Sequence, residues 1–219
     1  MVTTDDPKRE KRMSILDKLA TTLQCQDEVP NQELAQYIAE QEDEEAVREL
    51  MDHLQHKNKS IQSDCIKVLY EIGDIKPALI ANYSDTFLQL LDGPNNRLVW
   101  GAMTALDAIV FERPQVIFAA LSKIIAATNQ GSVITKNHGI NILIKLASMS
   151  EYADQAFNLL MEQLKHCPTN QLPKYVENAV SILQDNNKAL FVSIVSARLV
   201  EIEKETKRKR VEKVLRKLV

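Results

Sequence analysis

Three segments of the chain repeat one another: IQSDCIKVLYEI (61–72), LVWGAMTALDAI (98–109) and TKNHGINILIKL (135–146) align at a constant step of 37 residues. The step places a leucine at the same point of each copy, in Leu69, Leu106 and Leu143. A fourth copy follows after a step of 40 residues and contains Ala179, Val180, Ile182 and Leu183. A fixed period of this size is typical of stacked helical hairpins, in which neighbouring repeats complete one shared core.

The pattern predicts an all-α protein, an α-solenoid of about six stacked antiparallel hairpins that form one domain over 1–219. We expect N-terminal capping helices over 1–44, with one helix from Pro7 to Cys25, then repeats over 45–203 and a basic capping helix over 204–219. Ser60 is the predicted N-cap of the first repeated helix. The second helices of the hairpins are predicted at 60–72, 96–110, 133–148 and 173–184. The intervening first helices are predicted at 77–91, 114–127, 151–166 and 188–203.

Bulk composition agrees with helices and gives little information about function. The 219 residues include only 5 Gly and 7 Pro, with 5% aromatic residues and a net charge of −3. The three cysteines are far apart and odd in number, which favours a reducing compartment. The N-terminus lacks the apolar segment of a signal peptide, and no apolar run approaches the roughly 20 residues that span a bilayer. We therefore expect a cytoplasmic protein without membrane contact.

One segment resembles the HEAT/armadillo-type repeats, a family of helical solenoids. Asp92, Arg97, Ala102 and Leu106 match the Asp, the basic residue and the small-residue-plus-Leu pattern that recur in that family. The other copies depart from it, since Ser60 and Ile134 occupy the positions equivalent to Arg97. The resemblance covers about 45–203 and implies a non-catalytic scaffold.

A partner groove is predicted on the concave face, which the second helices line in stacked hairpins. At 100° per residue, three columns of these helices point away from the apolar stripe. Trp and Tyr are favoured at interfaces because they bury a large area and keep a polar tip. The hypothesis assigns the groove to Tyr70, Trp100, Thr104, Asp107, Asn137 and Asn141. In the alternative interpretation Trp100, the only Trp, leans sideways and packs on the adjacent repeat.

We find no motif that indicates catalysis, a metal or a cofactor. Glu49, His53 and His56 share one helix face at a spacing that suits a divalent ion, but they point away from the apolar stripe of their helix, so we interpret them as a solvated polar face. No nucleophile lies in a recognisable motif, and no glycine-rich phosphate loop is present. The sequence predicts a protein that is not an enzyme.

The C-terminus differs from the rest of the chain because it is basic. Lys207, Arg208, Lys209 and Arg210 resemble a nuclear-import cluster and could contact anions. Glu residues four positions from Lys or Arg, together with the apolar stripe of Val211, Val214, Leu215 and Leu218, favour a capping helix instead.

The leading hypothesis is an interaction scaffold that binds a protein or peptide of unknown identity on its concave face. The alternative is a nucleic-acid-binding protein of the HEAT-like DNA glycosylase kind, which uses a basic groove. Lys67 is the only cation in the three columns, so we do not expect nucleic acid as the partner.

Overall fold

The computed structural model describes residues 14–218, which form thirteen α-helices and three short 3-10 helices. The N-terminal half contains a 3-10 helix at Ile15–Lys18, α1 (Val29–Gln41), α2 (Glu44–Asp52) with a 3-10 turn at His53–Gln55, α3 (Lys59–Ile75), α4 (Ala78–Ala81), α5 (Ser84–Leu90) and α6 (Asn96–Ala108). The C-terminal half contains α7 (Pro114–Ala119), α8 (Leu121–Gln130), α9 (Val133–Ala147), α10 (Ala153–His166), α11 (Leu172–Ala179) with a 3-10 turn at Val180–Ile182, α12 (Asp185–Leu199) and α13 (Glu205–Leu218). Over the described residues no helix is long and apolar enough to cross a membrane.

The helices form two rows, as the repeat period predicts. One row, called here the inner row, contains α1, α3, α6, α9, α11 and α13, and each of these helices packs on the next. The other row contains α2, α4 with α5, α7 with α8, α10, and α12. Consecutive helices of the inner row contact each other more extensively than those of the outer row.

The repeated columns of the sequence form the core. Leu69, Leu106 and Leu143 are fully buried, and each contributes about 1.5–3 kcal/mol through the apolar surface that it removes from water. The small-residue column of Cys65, Ala102, Gly139 and Ala179 is also buried, which allows the helices to approach closely. Burial, with the nearby charges of Asp64 and Glu49, raises the pKa of the Cys65 thiol to about 12, so this cysteine stays a neutral packing residue.

Each repeated inner helix begins at a polar cap that obeys the same 37-residue step. Asn58, Asn95 and Ser132 are the N-caps of α3, α6 and α9, and each side chain accepts a hydrogen bond from a backbone N–H of the first turn. Ser60, predicted as the cap of α3, instead donates its backbone N–H to Asn58. The prediction was therefore wrong by two residues, because the Asn side chain satisfies the first free N–H groups.

The helices predicted at 77–91 and 114–127 are each broken in two. The first breaks at Asn82 and Tyr83, and the second breaks at Ala120. In the first, α4 packs on the preceding inner helix, α3, whereas α5 packs on the following one, α6.

The N-terminal end of the chain also differs from prediction, whereas the helix predicted at 204–219 is present as α13. The helix expected over 7–25 is described only from Ser14, where a 3-10 helix and turns replace it; its expected start at Pro7 lies outside the described residues. At the other end, Val211 and Val214 of α13 are buried, and this helix packs on α11 and α12.

Candidate functional site

Two aromatic rings and a guanidinium stack on the inner row between α3 and α6. The ring centroids of Tyr70 and Trp100 lie 5.6 Å apart with the planes inclined by 48°. The guanidinium carbon of Arg97 lies 4.2 Å from the centre of the Trp100 ring, a cation–π geometry. Trp100 is half-buried, so this aromatic cluster keeps one part of its surface open.

A network of charges joins this cluster to the N-terminal repeat. Glu28, at the start of α1, pairs with Arg97 of α6 and with Lys67 of α3, whose Nζ lies 3.2 Å from the Glu28 carboxylate. Lys67 also pairs with Glu71. Burial alone would lower the pKa of Lys67, because it disfavours the charged form. The hydrogen bonds of Lys67, of which the one to Glu71 has the largest effect, together outweigh burial and raise the pKa. Glu28 thus bridges three successive inner helices.

A second polar cluster lies between α6 and α9 and is centred on Asp107. Its Oδ2 lies 2.7 Å from His138 Nδ1 and accepts a hydrogen bond from Asn141 at 3.2 Å. Lys145 Nζ lies 2.9 Å from Asp107 Oδ1 and donates to the Asp107 carbonyl at 2.6 Å. Burial raises the pKa of Asp107, but the hydrogen bond from His138 and the charge of Lys145 outweigh it, and the net pKa lies below the usual value.

Asp74, on α3, has the opposite environment. Asp74 is exposed, but partial loss of solvent and the neighbouring carboxylates of Glu71 and Asp107 raise its pKa, more than His138 and Lys145 lower it. Among residues 14–218 Asp74 forms no ion pair, whereas the neighbouring Asp107 is paired with Lys145.

The six predicted groove residues lie on the inner row but differ in exposure. Trp100, Asn137 and Asn141 are half-buried. The exposure predicted for Tyr70, Thr104 and Asp107 was wrong, since they are 7%, 6% and 6% exposed. Helical projection treats each helix alone, whereas adjacent inner helices here approach closely enough to cover these side chains.

The alternative interpretation of Trp100 is also partly right. Its ring packs on Tyr70 of the preceding repeat, while part of its surface remains accessible. Sequence reasoning missed Glu28, Arg97, His138 and Lys145 as members of these clusters. A signal was present, because Asp107 contacts residues of α9 that lie 31, 34 and 38 positions later, close to one repeat length.

Each residue of the basic C-terminal cluster has a partner within the protein. Lys207 donates to the Asn170 carbonyl at 3.0 Å, and Arg210 forms two hydrogen bonds to Glu177 at 2.8 and 2.5 Å. The other two pair along α13, Arg208 with Glu212 and Lys209 with Glu205. Their role in anion contact stays a prediction.

The Glu49, His53 and His56 face does not form a metal centre. Glu49 accepts hydrogen bonds from Ser14 Oγ at 2.5 Å and from the Ile15 N–H at 3.0 Å, so it caps the N-terminal 3-10 helix. Within 14–218, no group of three or more His, Cys, Asp or Glu side chains is arranged to hold a metal ion.

Comparison of the whole chain with solved structures gives extensive matches. A designed armadillo repeat protein in complex with the peptide (KR)4 matches with a TM-score of 0.63 and 16% identity, over 86% of this chain and 87% of its own. An engineered protein matches with a TM-score of 0.61 and 16% identity, over 94% of this chain and 97% of its own. The protein has an armadillo/HEAT-like helical repeat fold.

A third armadillo-like match agrees with this fold assignment. A computationally designed armadillo repeat protein for modular peptide recognition has a TM-score of 0.59 and 14% identity, over 88% of this chain and 94% of its own. No known family profile and no curated protein matches the sequence. The armadillo-like likeness is therefore one of fold, at low sequence identity.

Proposed function

We propose that this armadillo-like protein is a non-catalytic scaffold that binds a protein or peptide on the inner row. The observation that supports this most is the half-buried Trp100 on the inner row, whose ring centroid lies 5.6 Å from that of Tyr70. A partly open aromatic pair on a rigid helical face is a common anchor for a partner side chain. The terminal helices act in this proposal as caps of the array.

Amide side chains next to the aromatic cluster suit the backbone of an extended peptide. Asn137, Asn141 and Asn178 lie on α9 and α11, and Asn178 Nδ2 donates to Asn141 Oδ1 at 3.3 Å. Amide groups both donate and accept hydrogen bonds, so they match the alternating N–H and C=O groups of a peptide chain. Two of the similar designed proteins, one solved with a peptide and one made for peptide recognition, support this partner class.

Nucleic acid is a weaker candidate because the cations of the aromatic and Asp107 clusters are neutralised. Lys67 and Arg97 pair with Glu28, and Lys145 pairs with Asp107. A groove for phosphates needs several unpaired Lys or Arg side chains.

Cys25, Cys65 and Cys167 are free thiols, which supports a reducing compartment such as the cytoplasm for this function.

Selection from a random peptide library on the immobilised protein tests the proposal. Selected peptides are expected to bind wild-type protein and to shift the emission of Trp100, the only Trp in the sequence. Trp100→Ala is expected to abolish binding and keep the helical circular dichroism signal. Leu190→Ala, which truncates a 46% exposed side chain on α12, is the matched control and is expected to bind normally. Peptides that bind Trp100→Ala as tightly as wild type would contradict the proposal.

A further inference from the structure

We infer that the C-terminal third of the inner row, formed by α11 and α13, binds an acidic segment of the peptide partner. This inference rests on the proposed function, because it assumes a partner chain that runs along the inner row. It specifies in addition that one end of that partner is acidic.

The α11–α13 surface continues the row that contains Trp100. Glu177 of α11 is equivalent to Trp100 and Asn137 in the repeat alignment. Arg210 of α13 donates two hydrogen bonds to its carboxylate, at 2.8 and 2.5 Å. Arg210 lowers the pKa of Glu177 through these hydrogen bonds, against burial, and the nearby charge of Lys213 adds to the effect. The Glu177 carboxylate is thus already neutralised.

Three further lysines lie on α11 and α13, close to this pair in the sequence. Lys174 lies three residues before Glu177, and Lys213 lies three residues after Arg210, so each shares the face of its paired neighbour. Lys217 follows Lys213 by one further turn. All three are exposed, and in the part of the chain that the structure describes none has an ion pair or a side-chain hydrogen bond. We call these residues the lysine patch.

The charge of the inner row therefore changes sign along its length. Near α3 and α6 every cation of the aromatic cluster is neutralised by Glu28 or Glu71, and Asp74 adds an unpaired carboxylate. Near α13 the three lysines of the patch have no ion pair with any residue of 14–218. Charge complementarity orients a partner more than it adds affinity, so an extended peptide would place its acidic end on α11 and α13.

Glutamate and aspartate side chains fit this patch better than a nucleic-acid backbone does. A phosphate chain needs a continuous run of cations, but Lys207, Arg208 and Lys209 next to the patch are engaged by Asn170, Glu212 and Glu205.

Fluorescence anisotropy with labelled octaglutamate and octaglutamine peptides tests the inference at low and at physiological salt. Wild-type protein is expected to bind octaglutamate, more weakly as salt rises, and to bind octaglutamine at least tenfold more weakly. Lys174→Ala/Lys213→Ala is expected to weaken octaglutamate binding about tenfold. The control Lys57→Ala/Lys188→Ala makes the same change in net charge away from the patch and is expected to bind like wild type. Circular dichroism checks that each variant is folded.

Further results separate this inference from the proposed function. Trp100→Ala should still bind octaglutamate, because Trp100 lies on α6, two inner helices before α11; peptide selection therefore fails or succeeds independently of this measurement. Equal binding of both peptides, or unchanged binding by Lys174→Ala/Lys213→Ala, would overturn the inference. So would tighter binding of a single-stranded DNA octamer that is lost in the same variant, since that would make the patch a phosphate site.

Discussion

Lys145 contacts Asp107 twice across the α6–α9 interface. Lys145 Nζ donates a hydrogen bond to the Asp107 carbonyl at 2.6 Å and lies 2.9 Å from the Asp107 carboxylate. Because Asp107 is only 6% exposed, its charge depends on the partners that neighbouring repeats supply. The contact between Lys145 and Asp107 thus joins two successive repeats in addition to the apolar core. It accounts for an acidic residue that the sequence alone had placed on an open surface.

Lys145→Met should therefore destabilise the fold. The variant leaves a buried carboxylate with only His138 and Asn141 as partners, at an expected cost of about 2 kcal/mol, below the range for fully buried pairs because Lys145 is partly exposed. Urea unfolding followed by circular dichroism measures this. Lys209→Met removes a lysine from the exposed pair with Glu205 and is the control, with no resolvable change expected. Equal stability of the two variants would show that the Asp107 pair is not structural.

Asp74→Asn should stabilise the protein at neutral pH. The pKa of Asp74 is raised by partial loss of solvent and by Glu71 and Asp107, so its ionised form is disfavoured in the folded state. It also lies in the last turn of α3, where a negative charge opposes the helix dipole. Since the raised pKa belongs to the folded state, the penalty exists above that pKa and disappears as pH falls below the unfolded value of about 3.9.

Urea unfolding of wild type and Asp74→Asn from pH 7 to pH 3 checks the sign. The variant is expected to be the more stable protein at pH 7, and the two curves should converge at the acidic end. A variant that is less stable than wild type at pH 7 would mean that Asp74 makes a favourable contact as a carboxylate.

Arg97→Ala should uncover the indole of Trp100. The guanidinium lies 4.2 Å from the ring centre and is held there by Glu28. Removal of the guanidinium should move the fluorescence emission maximum of Trp100 to longer wavelength and increase the quenching of Trp100 by acrylamide. Lys123→Ala is the matched control, because Lys123 lies on α8 and pairs with Asp92 at 2.7 Å. This variant is expected to leave the emission of Trp100 unchanged. Unaltered quenching in Arg97→Ala would show that Arg97 does not shield the ring.

Gly139→Ala should destabilise the α8–α9 contact. A Cβ at Gly139 would lie 2.0 Å from Thr128 Oγ1 and 2.9 Å from Thr128 Cβ. Thr128 has little room to move, since it is buried and its hydroxyl donates to the Ile124 carbonyl at 2.7 Å. We expect a loss of about 1–3 kcal/mol by urea unfolding, despite the better helix propensity of Ala. Thr128→Ala in the same chain should recover part of it, whereas a more stable Gly139→Ala would contradict the packing.

The sequence predicts the fold well because the fold depends on local, repeated features. Leu69, Leu106 and Leu143 mark the core directly, and the small-residue column marks the close approach of helices. The breaks at Tyr83 and Ala120 were not predicted; at the first of them, α4 packs on α3 and α5 packs on α6. A single-helix pattern does not contain that information.

The candidate site is less predictable than the fold for a related reason. Trp100, Asn137 and Asn141 keep the partial exposure that projection gave them, but Asp107 and Thr104 are covered by their surroundings. Glu28 and Arg97 lie 69 positions apart in the sequence, so their pairing depends on how α1, α3 and α6 pack together. Contacts across two repeats have no signature in the residue pattern of either one.

Hydrogen–deuterium exchange, measured with and without a peptide selected on the wild-type protein, tests the central proposal most directly. Binding on the inner row predicts slower exchange in α3, α6 and α9, with little change in the outer helices α5, α8 and α10. Trp100→Ala, measured with the same peptide, should show no protection. Protection confined to the outer helices, with α6 unaffected, would contradict the account.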